Sequence, residues 1–246
     1  EIYFDRGEKY DPEHLGEELL RKDMDNDRYI EMWNIVFSQF NSKPGTPRSQ
    51  YKELPSKNID TGAGLERFVC VLQDAETNFD TDLFMPYINY VQDRTEKKYE
   101  GENKLAYRVI ADHIRSVTFA LADGAVFSND GRGYVLRRLV RRASRYASSL
   151  GLNTGILSEL VEVVASNMSH FYPYLLNEKD RVKKMVLSEE VKFAKTLKLG
   201  ESKLNEFLEK SGDVLSGEDA FKLSDTYGFP FELTKEIAEE KGKKVD

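Results

Sequence analysis

The run Asp60-Thr61-Gly62-Ala63-Gly64-Leu65-Glu66-Arg67 decides how the rest of the chain is read. Two glycines alternate with small residues at the end of a strand-like stretch, and an acid and an arginine follow at once. The pattern predicts a strand that carries Asp60 into a cleft, then a helix with Arg67 on its first turn. Gly62 and Gly64 would let a ligand lie against bare backbone. A carboxylate at a strand end can hold an ammonium group. An arginine at a helix N-terminus can pair with polyphosphate, where free N–H groups already favour anions. A G-x-G run alone is weak evidence and fits a tight, close-packed turn. Asp60 and Arg67 are what favour a nucleotide and a small amino-bearing substrate held side by side.

Upstream, Tyr29 to Phe40 alternates in the period of a strand, with Trp33, Ile35 and Phe37 on one side and Asn34, Val36 and Ser38 on the other. Glu1 to Asp5 is strand-like, Asn41 to Arg48 is a Pro/Gly loop, and a strand from about Lys52 to Asp60 contains Pro55, which argues for an edge or a bulge. Strands joined by loops predict an antiparallel sheet. If the strands holding Asn34 and Asp60 are neighbours, Asn34 and Val36 share a face. Asn34 then offers an amide to a substrate carboxylate, and Val36 closes a small apolar pocket floored by Gly62. Such a pocket discriminates weakly between similar side chains, because one methylene is worth only ~1–3 kcal/mol. Taken alone, the strand reads equally as buried structure with one satisfied Asn.

Downstream of Asp80 the spacing is helical. Helices are expected over Gly62–Gln73, Leu83–Arg94, Ala106–Asp123, Tyr134–Leu150, Ser158–Met168, Arg181–Leu199, Asp219–Leu223 and Glu232–Lys241. The polar run Lys97 to Asn103, with Gly101, marks a domain boundary, giving residues 1–100 and 101–246. The fold class is α+β, an antiparallel sheet region followed by an all-α region. The Lys/Glu-laced run Arg181 to Lys210 reads as a solvated helix burying one stripe.

Arg132, Arg137, Arg138, Arg141, Arg142 and Arg145 fall within fourteen residues that contain no acid. A charge run is usually a solvated face. This density without interleaved acids favours contact with RNA phosphate, along a helix that could reach base edges and 2′-hydroxyls in a shallow minor groove. Net charge over the 246 residues is −7, so the basic face is a local reversal. His14, His113 and His170 lack metal-ligand spacing, and Asp112-His113 with Arg115 reads as a buried structural cluster. One cysteine, Cys70, excludes a disulfide framework and a Cys-rich zinc site. No apolar run approaches the ~20 residues of a membrane span, and no signal peptide is visible, so a cytoplasmic location is the default. The chain starts at Glu1 in a strand-like run and reads as an internal fragment.

Together these blocks resemble the alanyl-tRNA synthetases. The resemblance is carried in order by Glu31 to Phe37 with Gln39-Phe40-Asn41, Asp60 to Arg67, Ala111 to Arg115, Gly131 to Arg142, and Asp225 to Pro230. It implies a class II catalytic domain in which Asp60 to Arg67 is the third signature motif. By resemblance Asn34, Val36, Asp60 and Gly62 line the alanine site, with Trp33 as a supporting wall. Asp60 takes the amino group, and Arg67 with Gly64 faces ATP. The helical region would recognise a G·U wobble pair in the tRNA(Ala) acceptor stem, with Arg142 and Asp225 near that pair. One type of family member has Asn where this chain has Gly131, so the wobble contact there would come from backbone alone. The first two class II motifs would lie upstream and the zinc-dependent editing domain downstream. The resemblance therefore implies an alanine–tRNA ligase using ATP and Mg²⁺, and an isolated fragment without adenylation activity. Two other classes fit less of the sequence. A non-catalytic RNA-binding module need not keep Asp60 and Arg67. A ligase acting on a carrier protein has little need of six clustered arginines.

Overall fold

The computed structural model describes residues 1–246, which form two compact units, Glu1–Leu83 and Phe84–Asp246. The first contains β1 (Ile2–Asp5), α1 (Glu18–Arg21), β2 (Tyr29–Asn41), β3 (Lys52–Ala63) and α2 (Leu65–Leu72). The three strands make one antiparallel sheet in the order β1-β2-β3. Aromatic and β-branched residues at alternate positions explain the length of β2. Pro55 lies where it does no damage. β3 is an edge strand, and its pairing to β2 is interrupted between Phe40↔Glu53 and Ser38↔Asn58. A second irregularity, between Ile2↔Trp33 and Tyr3↔Glu31, leaves Met32 as an extra residue in β2. The sheet is thinly covered: Phe37 is 75% and Ile59 64% exposed.

Arg28 ties the start of this unit together. It donates to both oxygens of Asp5, at 2.9 and 3.0 Å, and to Asp11 at 3.1 Å. Asp11 also accepts the N–H groups of Gly16 at 2.7 Å and Leu15 at 3.0 Å. Arg28 holds the Asp5 carboxyl below its ordinary range, and the Gly16 and Leu15 N–H groups, with Arg28, do so for Asp11 against the cost of burial. A carboxylate whose pKa is lowered by folding adds stability above its unfolded value, and that stability is lost as pH falls through the folded value. Stability of this unit is therefore expected to decline below about pH 4. The slope should be shallower in Arg28→Ala. An acid titration followed by fluorescence of Trp33, the sole tryptophan, measures both.

The second unit holds α3 (Met85–Gln92), α4 (Asn103–Ala122), α5 (Gly131–Ser149), α6 (Ile156–Met168), α7 (Tyr174–Lys210), β4 (Val214–Leu215), α8 (Gly217–Asp225), α9 (Phe231–Glu240) and β5 (Lys244–Val245). β4 and β5 form a two-residue parallel bridge that no sequence pattern announced. The division falls before α3, not after residue 100. α3 buries Tyr87, Ile88 and Val91 among these helices, and Asn167 of α6 donates to the Tyr87 hydroxyl at 3.1 Å. The expected boundary is tethered to the end of α5: Lys97 donates to the Ser149 carbonyl at 2.5 Å and Thr95, just before the polar run, to that of Leu150 at 2.6 Å.

α7 is one helix of 37 residues that starts at Tyr174, before the expected start at Arg181, and runs to Lys210. Gly200 does not stop it. A Cβ there would fall on the ring of Phe229, so the glycine admits an aromatic ring against helix backbone. Phe193, Leu197, Leu204 and Leu208 of α7 build a small core with Leu215, Leu223, Phe229, Leu233 and Ile237. Glu190, buried in α7, caps α6 from outside by accepting the N–H groups of Gly155, Leu157 and Ser158 at 3.0 to 3.2 Å. Its burial pushes its pKa up, and those three donors oppose the shift. Alanine in an open helix position is favoured over glycine by up to ~1 kcal/mol. At position 200 the Phe229 ring reverses the sign. Gly200→Ala is expected to destabilise the helical unit by about 1–3 kcal/mol, measured as a lower urea midpoint at unchanged slope.

Candidate active-site face and arginine helix

The β2–β3 register sets Asn34 opposite Gly62 and Val36 opposite Asp60. Directly paired residues share a face, so these four form one patch. No atom lies within 4 Å of a Cβ built on Gly62, and Val36 is 50% exposed, so the patch is open. Asp60 is exposed and makes no hydrogen bond or ion pair. Trp33 requires a correction. Alternation places it on the opposite face with Ile35, where its indole N–H donates to the Thr61 hydroxyl. It backs the strand and does not wall the patch.

α2 starts at Leu65 with Gly64 as its extended N-cap residue, and Arg67 lies on its first turn. Gly64 also serves the arginine. A Cβ there would stand 3.2 Å from Cδ and 3.3 Å from Cγ of Arg67, so the glycine makes room for the arginine stem to fold back. Nη1 of Arg67 donates to the Glu31 carbonyl at 2.8 Å and to its carboxylate at 3.2 Å. Its Nε and Nη2 donate to no protein acceptor, which leaves one edge of the fork for an anion. Glu31 also lies 3.4 Å from the Asn34 amide. The extra residue at Met32 re-phases β2 and helps bring Glu31 within reach of both. Glu31 was not singled out in the sequence, because a strand carboxylate before the bulge gave no signal of its partner.

In the helical unit, α5 presents its arginines differently from the expectation of a free basic face. Arg137 and Arg141 donate to one buried carboxylate, Glu189 of α7, at 3.2 and 2.8 Å. Arg138 is 3.4 Å from Glu232, Arg142 is 2.8 Å from Glu236, and Arg145 is 2.5 Å from Glu240. Only Arg132 of the six makes no ion pair; it is exposed at the start of the helix. The acids missing from α5 are supplied by α7 and by the i, i+4 stripe Glu232-Glu236-Glu240 of α9. That stripe was legible as a charged face, but its partner was not. Between α5 and α9 lies a cleft of about 710 Å³, lined by Val135, Leu139, Pro230, Phe231 and Leu233 together with His113, Arg138 and Arg142.

At the start of α5, Gly131 has φ +56° with open space around it, a conformation that Asn tolerates better than other side chains do. A Cβ on Gly133 would meet the Val126 carbonyl and the Ser128 amide nitrogen at 2.8 Å, so this glycine fits a close backbone approach. Asp225 ends α8, exposed and without a hydrogen-bond partner. Gly228, at φ +64°, turns the chain toward α9. His113 donates to Asp112 as expected, at 2.9 Å, and the Arg115 guanidinium lies over the Phe84 ring at 4.3 Å. No group of three His, Cys, Asp or Glu residues could hold a metal ion, and no helix is long and apolar enough to cross a membrane.

Comparison with known proteins gives the family. The chain matches the family described as tRNA synthetases class II (A) over residues 1–246, and it belongs to that family. Among curated proteins it is similar to the alanine–tRNA ligase of Streptococcus thermophilus (strain ATCC BAA-491 / LMD-9), with 55% identity over 251 residues. It is likewise similar to that of Streptococcus pneumoniae (strain Hungary19A-6), with 56% identity over 252 residues. Both alignments cover all of this chain and 29% of the relative's length.

Proposed function

We propose that this segment contributes part of the alanine and ATP site of an alanine–tRNA ligase, together with the helices that meet the acceptor stem of tRNA(Ala). The observation that carries the reading is the register that puts Asn34, Val36, Asp60 and Gly62 on one open face, with Arg67 on the next helical turn. A small amino acid fits a face of one carboxylate, one amide, one valine and one glycine. Asp60 takes the ammonium group, Asn34 addresses the carboxylate, and Val36 bounds the methyl.

The reaction is attack by the alanine carboxylate oxygen on the α-phosphorus of ATP. It forms the mixed anhydride and releases pyrophosphate. Mg²⁺ arrives with ATP as part of the substrate. The step needs alignment and charge neutralisation, with no protein nucleophile. The free edge of Arg67 suits the phosphates. On α5, exposed Arg132 and loosely paired Arg138 suit RNA backbone, and Arg142 with Asp225 suits the wobble pair. Arg137, Arg141 and Arg145 support the helix through their acids and add positive field.

The test is alanine-dependent exchange of pyrophosphate into ATP by the full-length protein, compared with the 1–246 segment alone. Exchange by the full-length protein with alanine, and none with larger amino acids, supports the reading. Absence of exchange by the full-length protein overturns it. Exchange by the isolated segment would overturn its assignment as an incomplete site.

A further inference from the structure

Arg142 is held by two side chains, one of them braced by a third. Its Nε and Nη2 both donate to Oε1 of Glu236, at 2.9 and 2.8 Å, and Tyr146 donates its hydroxyl to the same oxygen at 2.9 Å. Its Nη1 lies 3.3 Å from Nε2 of His113. A guanidinium can only donate, so Nε2 accepts and the imidazole proton sits on Nδ1, where it is donated to Asp112 at 2.9 Å. His113 is buried and belongs to α4, Arg142 to α5 and Glu236 to α9. α9 is anchored through Leu233, Ile237 and Ala238 in the core behind it, so Glu236 is presented from a fixed backbone. The Arg142 side chain remains 37% exposed, with the α5–α9 cleft in front of it. Arg138 differs: a single 3.4 Å pair holds it, and it is 45% exposed.

We propose that Glu236 and His113 are positioning residues that fix the Arg142 guanidinium for contact with a base edge in a wobble-containing acceptor stem. This rests on the reading of α5 as the RNA-facing helix. A mobile arginine can satisfy a phosphate from many directions, whereas reading a base edge requires the planar fork at one angle. Two partners on two other helices, Glu236 of α9 and His113 of α4, supply that angle, with Tyr146 bracing Glu236.

The experiment uses full-length protein and two short acceptor-stem RNA hairpins, one with the G·U pair and one with a Watson–Crick pair, at fixed salt. The readout is the ratio of the two affinities. Arg142→Ala and Glu236→Ala should each lower that ratio about tenfold. Glu236→Gln keeps an acceptor oxygen and should retain most of it. In an Arg142→Ala background, Glu236→Ala should change the ratio by less than about twofold. A purely structural role for Glu236 would weaken both hairpins equally, and that result overturns the proposal. An Arg142→Ala effect without a Glu236→Ala effect also overturns it and leaves the reading of α5 intact. An unchanged ratio in Arg142→Ala overturns both.

Discussion

Arg67→Ala in the full-length protein is expected to lower alanine-dependent pyrophosphate exchange about 10²–10³-fold, the usual cost of losing one preorganised charge donor at a reacting phosphate. Thermal stability should hardly change. Arg67 is 46% exposed, and its pair with Glu31 is the kind of partly solvated contact worth about 0–1 kcal/mol. The separation of the two effects is the informative part. A residue that mattered only for holding α2 on β2 would lose stability and activity together. Arg67→Lys is not expected to rescue, since an ammonium cannot keep one edge on the Glu31 carbonyl and offer a second, parallel edge to phosphate. Activity close to wild type in Arg67→Ala, measured at saturating ATP and alanine, would remove Arg67 from the site.

Glu189→Ala is expected to be the most destabilising change in the helical unit. One carboxylate, 4% exposed, neutralises two guanidiniums that are themselves 18% and 16% exposed. Removing it leaves two mostly buried cations without their shared partner, at a cost of about 3–5 kcal/mol. For a unit of this size that is a fall in melting temperature of roughly 10 °C, read from the helical circular dichroism signal. Both arginines donate to the same Glu189 oxygen, so Glu189→Gln keeps that acceptor but loses the charge and should lie between. Replacing Arg137, Arg141 and Glu189 together by apolar residues of similar volume should recover most of the loss, because the penalty lies in the unpaired charge. Full stability in Glu189→Ala would mean that water or Asn129 satisfies the two arginines.

The strands and most helices were legible because their cause is local. Alternation in Tyr29 to Phe40 and the Gly62-Ala63-Gly64 turn are properties of adjacent residues, and the partnership of Asn34 with Gly62 followed once the two strands were taken as neighbours. What could not be read depends on distant pairings. The arginines looked unpaired because their acids lie on α7 and α9, many positions away in the chain. Trp33 faces away from the patch because the pleat outweighs its proximity in sequence to Asn34. Lys97 to Asn103 has the composition of a domain boundary, but the Ser149 carbonyl holds its first residue. Gly200 gave no sign of the Phe229 ring that it admits. In each case the residue's chemistry was evident and its partner was not.

The continuity of α7 has a mechanical consequence. At 1.5 Å per residue its 37 residues make a rod about 55 Å long. Its first half lies against α4, α5 and α6, and its second half carries Leu204 and Leu208 into the core shared with α8 and α9. The Phe229 ring seated on Gly200 acts as a key in a slot. The bundle and the terminal helices therefore share one unbroken helix, with no loop between them.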